Sequence, residues 1–231
     1  MESWSKEGLR VRVLYSVGAV GTQILVSASG SFILVDAGDG TLRDLLSIGF
    51  EPERLDAILV THGHYDHIGG LHALLGYFRM KKRSRSLPVF MPKGCLQAST
   101  VIKNFSNLYS GFMPYVVKAE ELSDRDCFTA GSFRVWCNYV VHCIVEPDGN
   151  AVPMPAAGYR IDDGKTVIAV TGDCGDSKSV RDLVKDADLA LVEANLKSYS
   201  SEVQRKVHLT EALAEEIGSL ARKHILIHKR S

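Results

Sequence analysis

Between Thr61 and Gly70 the chain reads Thr-His-Gly-His-Tyr-Asp-His-Ile-Gly-Gly. Three imidazoles (His62, His64 and His67) and one carboxylate (Asp66) fall within six residues. Imidazole nitrogen and carboxylate oxygen are the donors that hold zinc-type divalent cations. Gly63 places no side chain between His62 and His64, so their rings can converge. The apolar stripe that follows predicts a helix starting near His67–Gly70. Its first amide N–H groups would face the same site and favour an anion there. Eight histidines in 231 residues would rarely gather three so closely by chance.

The same chemistry recurs at the ends of other apolar runs. Ile33-Leu34-Val35 leads to Asp36, Tyr139-Val140-Val141 to His142, and Ala169-Val170-Thr171-Gly172 to Asp173. Ala190-Leu191-Val192 leads to Glu193, and Ile225-Leu226-Ile227 to His228. Strand ends of layered α/β folds share one edge, where ligand sites form. These side chains therefore read as parts of one polyvalent site.

The elements that must position them follow from periodicity. Strands are expected at Leu9–Tyr15, Thr22–Ser27, Phe32–Asp36, Ala57–Thr61, Leu87–Met91, Ser132–Val141, Thr166–Thr171, Leu189–Glu193 and His224–His228. Ser132–Val141 alternates, with Phe133, Val135, Cys137, Tyr139 and Val141 on one face, as in a half-buried strand. Ile58–Val60 and Val167–Val170 are continuously apolar, as in strands covered on both faces. Helical stripes run through Leu71, Leu74, Leu75 and Phe78, through Ala98, Val101, Ile102 and Phe105, and through Leu213, Ile217, Leu220 and Ala221, the last with Thr210 as N-cap. A shorter helix is expected over Lys178–Lys185.

Composition sets the limits. Lys+Arg and Asp+Glu both number 27, so a nucleic-acid partner could be held only by a local patch. No apolar run approaches the ~18 residues of a membrane span, and Met1–Arg10 has no signal-peptide core. The five cysteines form no C-x-x-C pair and read as reduced thiols, so a cytoplasmic chain with no membrane partner is expected. Cys143 and Cys174 read as packed thiols, His72 and His224 as structural, and Asp162-Asp163-Gly164 as a hairpin turn.

The H-x-H-x-D-H run behind an apolar strand resembles the metallo-β-lactamase-fold hydrolases, over nearly the whole chain. The resemblance implies an α/β fold, a four-layer αββα sandwich forming a single domain over residues 1–231. It implies two divalent metal ions, zinc first, with manganese or iron as alternatives. His62, His64 and His142 would hold one and Asp66, His67 and His228 the other, with Asp173 bridging and Asp36 steadying the histidine loop. Thr171-Gly172-Asp173, Leu191-Val192-Glu193-Ala194-Asn195, Lys206-Val207-His208-Leu209-Thr210-Glu211-Ala212 and Ile225-Leu226-Ile227-His228 further resemble ribonuclease Z and its phosphodiesterase relatives. In that comparison His208, oriented by Glu193, protonates the leaving group, and Asp66 joins the proton transfer. Two features depart from ribonuclease Z. Gly21-Thr22 runs straight into Gln23-Ile24-Leu25-Val26 without a substrate loop, and Val141–Asp173 has room only for a modest loop, Glu146–Ala157, in place of a transfer-RNA-gripping arm.

The expected function is thus a dinuclear metal-dependent phosphodiesterase or nuclease on a small or short nucleic-acid phosphodiester, compatible with a homodimer. Lactone, thioester or β-lactam hydrolysis on the same fold is the alternative. A non-catalytic metal-stabilised binding module is the alternative of another class. Arg79-Met80-Lys81-Lys82-Arg83-Ser84-Arg85 reads as a solvated helix end, or as a substrate phosphate contact through Lys81, Lys82 and Arg83. Tyr65 and Gly111–Tyr115 are candidates for the pocket wall.

Overall fold

The computed structural model describes residues 1–230. The first sheet takes seven strands in sequence order: β1 (Glu2–Lys6), β2 (Leu9–Val17), β3 (Gly21–Ala28), β4 (Ser31–Val35), β5 (Ala57–Leu59), β6 (Leu87–Pro92) and β7 (Val117–Leu122). Helices α1 (Thr41–Ser47), α2 (Tyr65–Ile68), α3 (Leu71–Met80) and α4 (Leu96–Leu108) lie in its connections. The second sheet contains β8 (Cys127–Ala130) and β9 (Phe133–Tyr139). After a hairpin of β10 (Cys143–Val145) and β11 (Ala151–Pro153), it adds β12 (Ala157–Asp162), β13 (Val167–Val170), β14 (Leu189–Glu193) and β15 (His224–Ile227). Its order is β15-β14-β13-β12-β9-β8, with α5 (Lys178–Val184) and α6 (Glu211–Gly218) in the parallel crossovers.

The periodicities sort into layers. Val11, Val26, Ile33 and Leu59 of the first sheet meet Val135, Cys137, Tyr159 and Leu191 of the second in a shared core. In β5, Ala57 and Leu59 face that core, whereas Ile58 and the following Val60 face the stripe of Leu71, Leu74, Leu75 and Phe78 on α3. The strand is covered on both faces, which is why its sequence does not alternate. On the other side, Val180 and Leu183 of α5 and Ala214 and Ile217 of α6 pack on Ala169, Ala190 and Val192. The result is the expected αββα arrangement.

Several expectations need correction. Six strands, β1, β7, β8, β10, β11 and β12, stand where none was expected, as does α1. The third stripe overshoots: α6 ends at Gly218, and Leu220 beyond it is 39% exposed. Thr210 does cap α6, accepting from the Leu213 amide. Among the described residues no helix is long and apolar enough to cross a membrane.

Candidate metal centre

The histidine loop leaves β5 directly. Thr61, its first residue, is held by Asp36, which ends β4: Oδ1 accepts from the Thr61 amide and Oδ2 from the Thr61 hydroxyl, both at 2.8 Å. The same Oδ2 accepts from Nδ1 of His67 at 2.7 Å. One buried carboxylate thus joins both ends of the loop and turns Nε2 of His67 inward. Because Thr61 spends its hydroxyl proton on Asp36, the hydroxyl oxygen accepts from Nδ1 of His62 at 3.1 Å, leaving Nε2 of that ring as a lone-pair donor. His142 donates from Nδ1 to the Val207 carbonyl at 2.8 Å, which directs its Nε2 to the same point. Nδ1 of His228 contacts the Thr22 hydroxyl at 3.0 Å, and its Nε2 reaches Asp173.

The inward atoms form two adjoining groups. Nε2 of His62 lies 3.0 Å from Nδ1 of His64, which lies 3.3 Å from Nε2 of His142. Asp173 shares this group, and Asp66, His67 and His228 form the second. Asp173 stands between them, with Oδ2 3.9 Å from His62 and 3.0 Å from His228, and Oδ1 3.3 Å from His67. Nε2 of His67 and Oδ1 of Asp173 are buried without a hydrogen-bond partner. Polar atoms so buried are costly unless something satisfies them. Donor spacings near 3.3 Å also suit ~2.0–2.1 Å zinc–nitrogen bonds in a tetrahedron. The residues therefore fit two divalent cations.

The electrostatics divide the cluster. Burial, reinforced by charge on neighbouring histidines, holds His62 well below the usual imidazole range, and burial pushes His142 down to about 3. Burial likewise lowers His64. Burial opposes the charge of His67, but Asp173 and Asp36 outweigh it and lift that imidazole well above its ordinary value. Asp173 is the converse: burial works against its ionisation, yet His228 and His67 hold it well below the carboxylate range. The backbone contributes as well. Asp36 and His228 sit at φ 59° and 56°, left-handed conformations that cost non-glycine residues ~1–3 kcal/mol and recur at functional sites.

Beside the cluster lies the pair expected from the sequence. Nδ1 of His208 donates to Oε1 of Glu193 at 3.1 Å and lies 3.7 Å from Oδ2 of Asp173. Glu193 is fully buried and also accepts from the Cys174 and Leu209 amides at 3.1 Å and from the Asn195 amide at 3.0 Å. Burial pulls His208 down, but the Glu193 hydrogen bond and charge prevail and raise it above the ordinary imidazole value. His62, His64 and His142 are lowered, whereas His67 and His208 are raised, and of those two His208 is the one that walls the cleft.

The cluster opens into a cleft of about 520 Å³, walled by Gly18, Ala19, Tyr65, Asn195, His208 and Arg230. A larger groove of about 700 Å³ lies around Trp136, Arg160 and Asp182, away from these histidines, and its Arg160 is spent on the Leu183 and Lys185 carbonyls. The convergence of donors, not groove size, marks the site.

The basic run divides. Arg83 is 4% exposed, and its guanidinium donates to the carbonyls of Glu53, Leu55, Arg85 and Ser86. It is a buried strut between two connections and is not available to a substrate phosphate. Lys81 and Lys82 stay exposed, with Lys81 4.0 Å from Glu53. Tyr65 does wall the cleft, whereas Tyr115 is buried under α3, donating to the Leu75 carbonyl. The helix expected near His67–Gly70 is in fact two: α2 begins at Tyr65 inside the loop, and α3 at Leu71. The Gly70 amide is consumed by the Ala37 carbonyl. A Cβ at Gly63 would also meet the side chain of Gln97 on α4. Arg230 and Asn195 were missed as cleft residues. Their only sequence signal is proximity to His228 and Glu193.

Residues 32–228 match the beta-lactamase superfamily domain, and the chain belongs to that family. Within it, the chain is 28% identical to a protein named ribonuclease Z from Bradyrhizobium sp. (strain ORS 278), over 87% of this chain and 82% of that one. Among solved structures, the short form of human tRNase Z aligns with a TM-score of 0.78 at 20% identity, over 96% of this chain and 93% of that one. The metallo-beta-lactamase fold protein YhfI from Bacillus subtilis aligns with a TM-score of 0.75 at 21% identity, over 96% and 86%. At these identities the structural likeness establishes the fold.

Proposed function

We propose that the chain is a metal-dependent phosphodiesterase of the ribonuclease Z type. The observation that carries this is His208 held by a fully buried Glu193 at the lip of a two-part His/Asp cluster. Carbonyl hydrolysis, as of a lactone, has little need for such a protonating group; expulsion of an alkoxide from phosphorus does. The ribonuclease Z relative supports the same reading.

In this account His62, His64, His142 and Asp173 would hold one divalent cation, and Asp66, His67, His228 and Asp173 the other, with zinc the best fit to the donor set. Bound there, such cations would supply Lewis acidity toward a phosphoryl oxygen and lower the pKa of a water toward neutrality. The chain's own residues do the rest. Asp66, oriented by the Ala19 amide at 2.9 Å, takes the proton released by the attacking water. Asp36 and the Val207 carbonyl fix the ring orientations of His67 and His142. His208 gives its Nε2 proton to the leaving oxygen, while Glu193 stabilises the imidazolium before transfer.

The discriminating experiment compares kcat/KM of zinc- or manganese-loaded protein on a chromogenic phosphodiester and on a neutral lactone. The diester should be preferred, and chelation should abolish its turnover. Faster lactone hydrolysis would replace the phosphodiester assignment with carbonyl chemistry.

A further inference from the structure

The β2–β3 turn is gripped from two sides. On one, the Tyr65 hydroxyl donates to the Ala19 carbonyl at 2.6 Å, while Asp66 takes the Ala19 amide. On the other, the Gly18 amide donates to the Lys229 carbonyl at 3.0 Å, and Gly18 packs so closely on Asn195 that a Cβ there would collide with its amide. The turn thus ties together two parts of one cleft wall, with Tyr65 on one segment gripping it and Arg230 next to the other.

Each part carries a side chain that the chemistry above leaves unused. Tyr65 is tethered through its hydroxyl, yet 63% of the residue stays exposed beside His64 and Asp66. A large ring held this way is a flat stacking surface whose ordering cost is already met. Arg230 donates from Nε to Oδ1 of Asn195 at 3.2 Å. Asn195 is itself fixed, donating from Nδ2 to the His228 carbonyl at 3.2 Å and from its amide to Glu193. No carboxylate among the described residues lies within ion-pairing distance of Arg230, and among the described residues it is the one Lys or Arg on the wall of that cleft. Anchored through Nε, the guanidinium presents its two terminal nitrogens as a fork for phosphate oxygens.

We infer that Tyr65 and Arg230 form a specificity site for nucleotide-type substrates, in which Tyr65 stacks on a flat base and Arg230 binds phosphate oxygens. The inference rests on the phosphodiesterase reading and names its substrate class. Base stacking on an aromatic side chain favours binding by about tenfold or more.

The test is calorimetric and kinetic. Metal-loaded wild-type protein should bind thymidine 5′-phosphate at least about tenfold more tightly than inorganic phosphate, and Tyr65→Leu should bring that preference to within about threefold. Tyr65→Phe, which keeps the ring and loses the tether, should fall between. Arg230→Ala should weaken both ligands by about tenfold without changing their ratio, and Arg230→Lys should recover part of the loss. With thymidine 5′-(p-nitrophenyl phosphate), both truncations should raise KM far more than they lower kcat. An unchanged nucleotide preference in Tyr65→Leu would remove the stacking surface, and unchanged phosphate affinity in Arg230→Ala would remove the anion fork. If wild-type protein turned over no diester, the phosphodiesterase reading would fall, while the ratio of nucleotide to phosphate binding would still decide this inference.

Discussion

Individual residues here are defined by what they hold in place. Asp36 touches the cluster only through His67, yet it carries three hydrogen bonds that fix both ends of the histidine loop. His208 has the opposite character: buried behind by Glu193, it faces the cleft in front. For a diester with a poor leaving group, His208→Ala should lower kcat by roughly 10²–10⁴; for a nitrophenolate leaving group the loss should be much smaller. Metal content should stay at the wild-type level. Its loss would make His208 a ligand, a role its closeness to Asp173 and His228 would permit. Protonation of the metal-free chain gives an independent check. His62 and His142 are depressed, so between their folded values and ~6.5 only the unfolded chain binds these protons, and stability falls as pH drops through that window, by ~1.4 kcal/mol per pH unit for each proton. His67 and His208 are raised, so their contribution is complete below ~6.5 and is lost as pH climbs through their folded values. Urea unfolding of chelator-treated protein should show maximal stability near pH ~6.5. A monotonic rise from pH ~4 to ~8 would contradict these signs.

Elements explain both what the sequence disclosed and what it concealed. β5 and β13 were legible because burial on two faces leaves continuous apolar runs, and α3 because its stripe faces one layer. β1 and β7 were not, since Glu2-Ser3-Trp4-Ser5-Lys6 and Val117-Lys118-Ala119-Glu120-Glu121-Leu122 are mostly exposed edge strands with little to alternate. The three-residue strands β10 and β11 pair only with each other, and two such short segments carry no readable period. The metal-type residues were legible because their types cluster at apolar run ends. Arg83 was misread because spacing gives charge but not burial. Its strut role predicts that Arg83→Ala destabilises the fold by about 2–4 kcal/mol, because backbone carbonyls lose their donors. Lys81→Ala with Lys82→Ala should stay within ~0.5 kcal/mol of wild type. Equal melting curves for the two variants would refute the distinction.

At the scale of the whole molecule, the two sheets depend on each other. Val26, Ile33 and Leu59 share one buried core with Val135, Tyr159 and Leu191, and the cluster takes His62, His64 and His67 from one half and His142, Asp173 and His228 from the other. We therefore expect residues 1–122 expressed alone to expose this core and neither fold cooperatively nor hold metal; a cooperative melt of that piece would contradict it. Net charge is zero, and the β10–β11 hairpin spans only Cys143–Pro153. Remote phosphate contacts that would orient a long RNA are correspondingly few. Small diesters or short oligonucleotides should thus be cleaved at least as efficiently, by kcat/KM, as intact precursor transfer RNA. The claim on which everything turns is that two cations share Asp173. Elemental analysis of protein loaded with zinc, compared with Asp173→Ala, tests it most directly. The account predicts two metals per wild-type chain and loss of occupancy at both positions in the variant. One metal in wild-type protein, or full occupancy in Asp173→Ala, would contradict it.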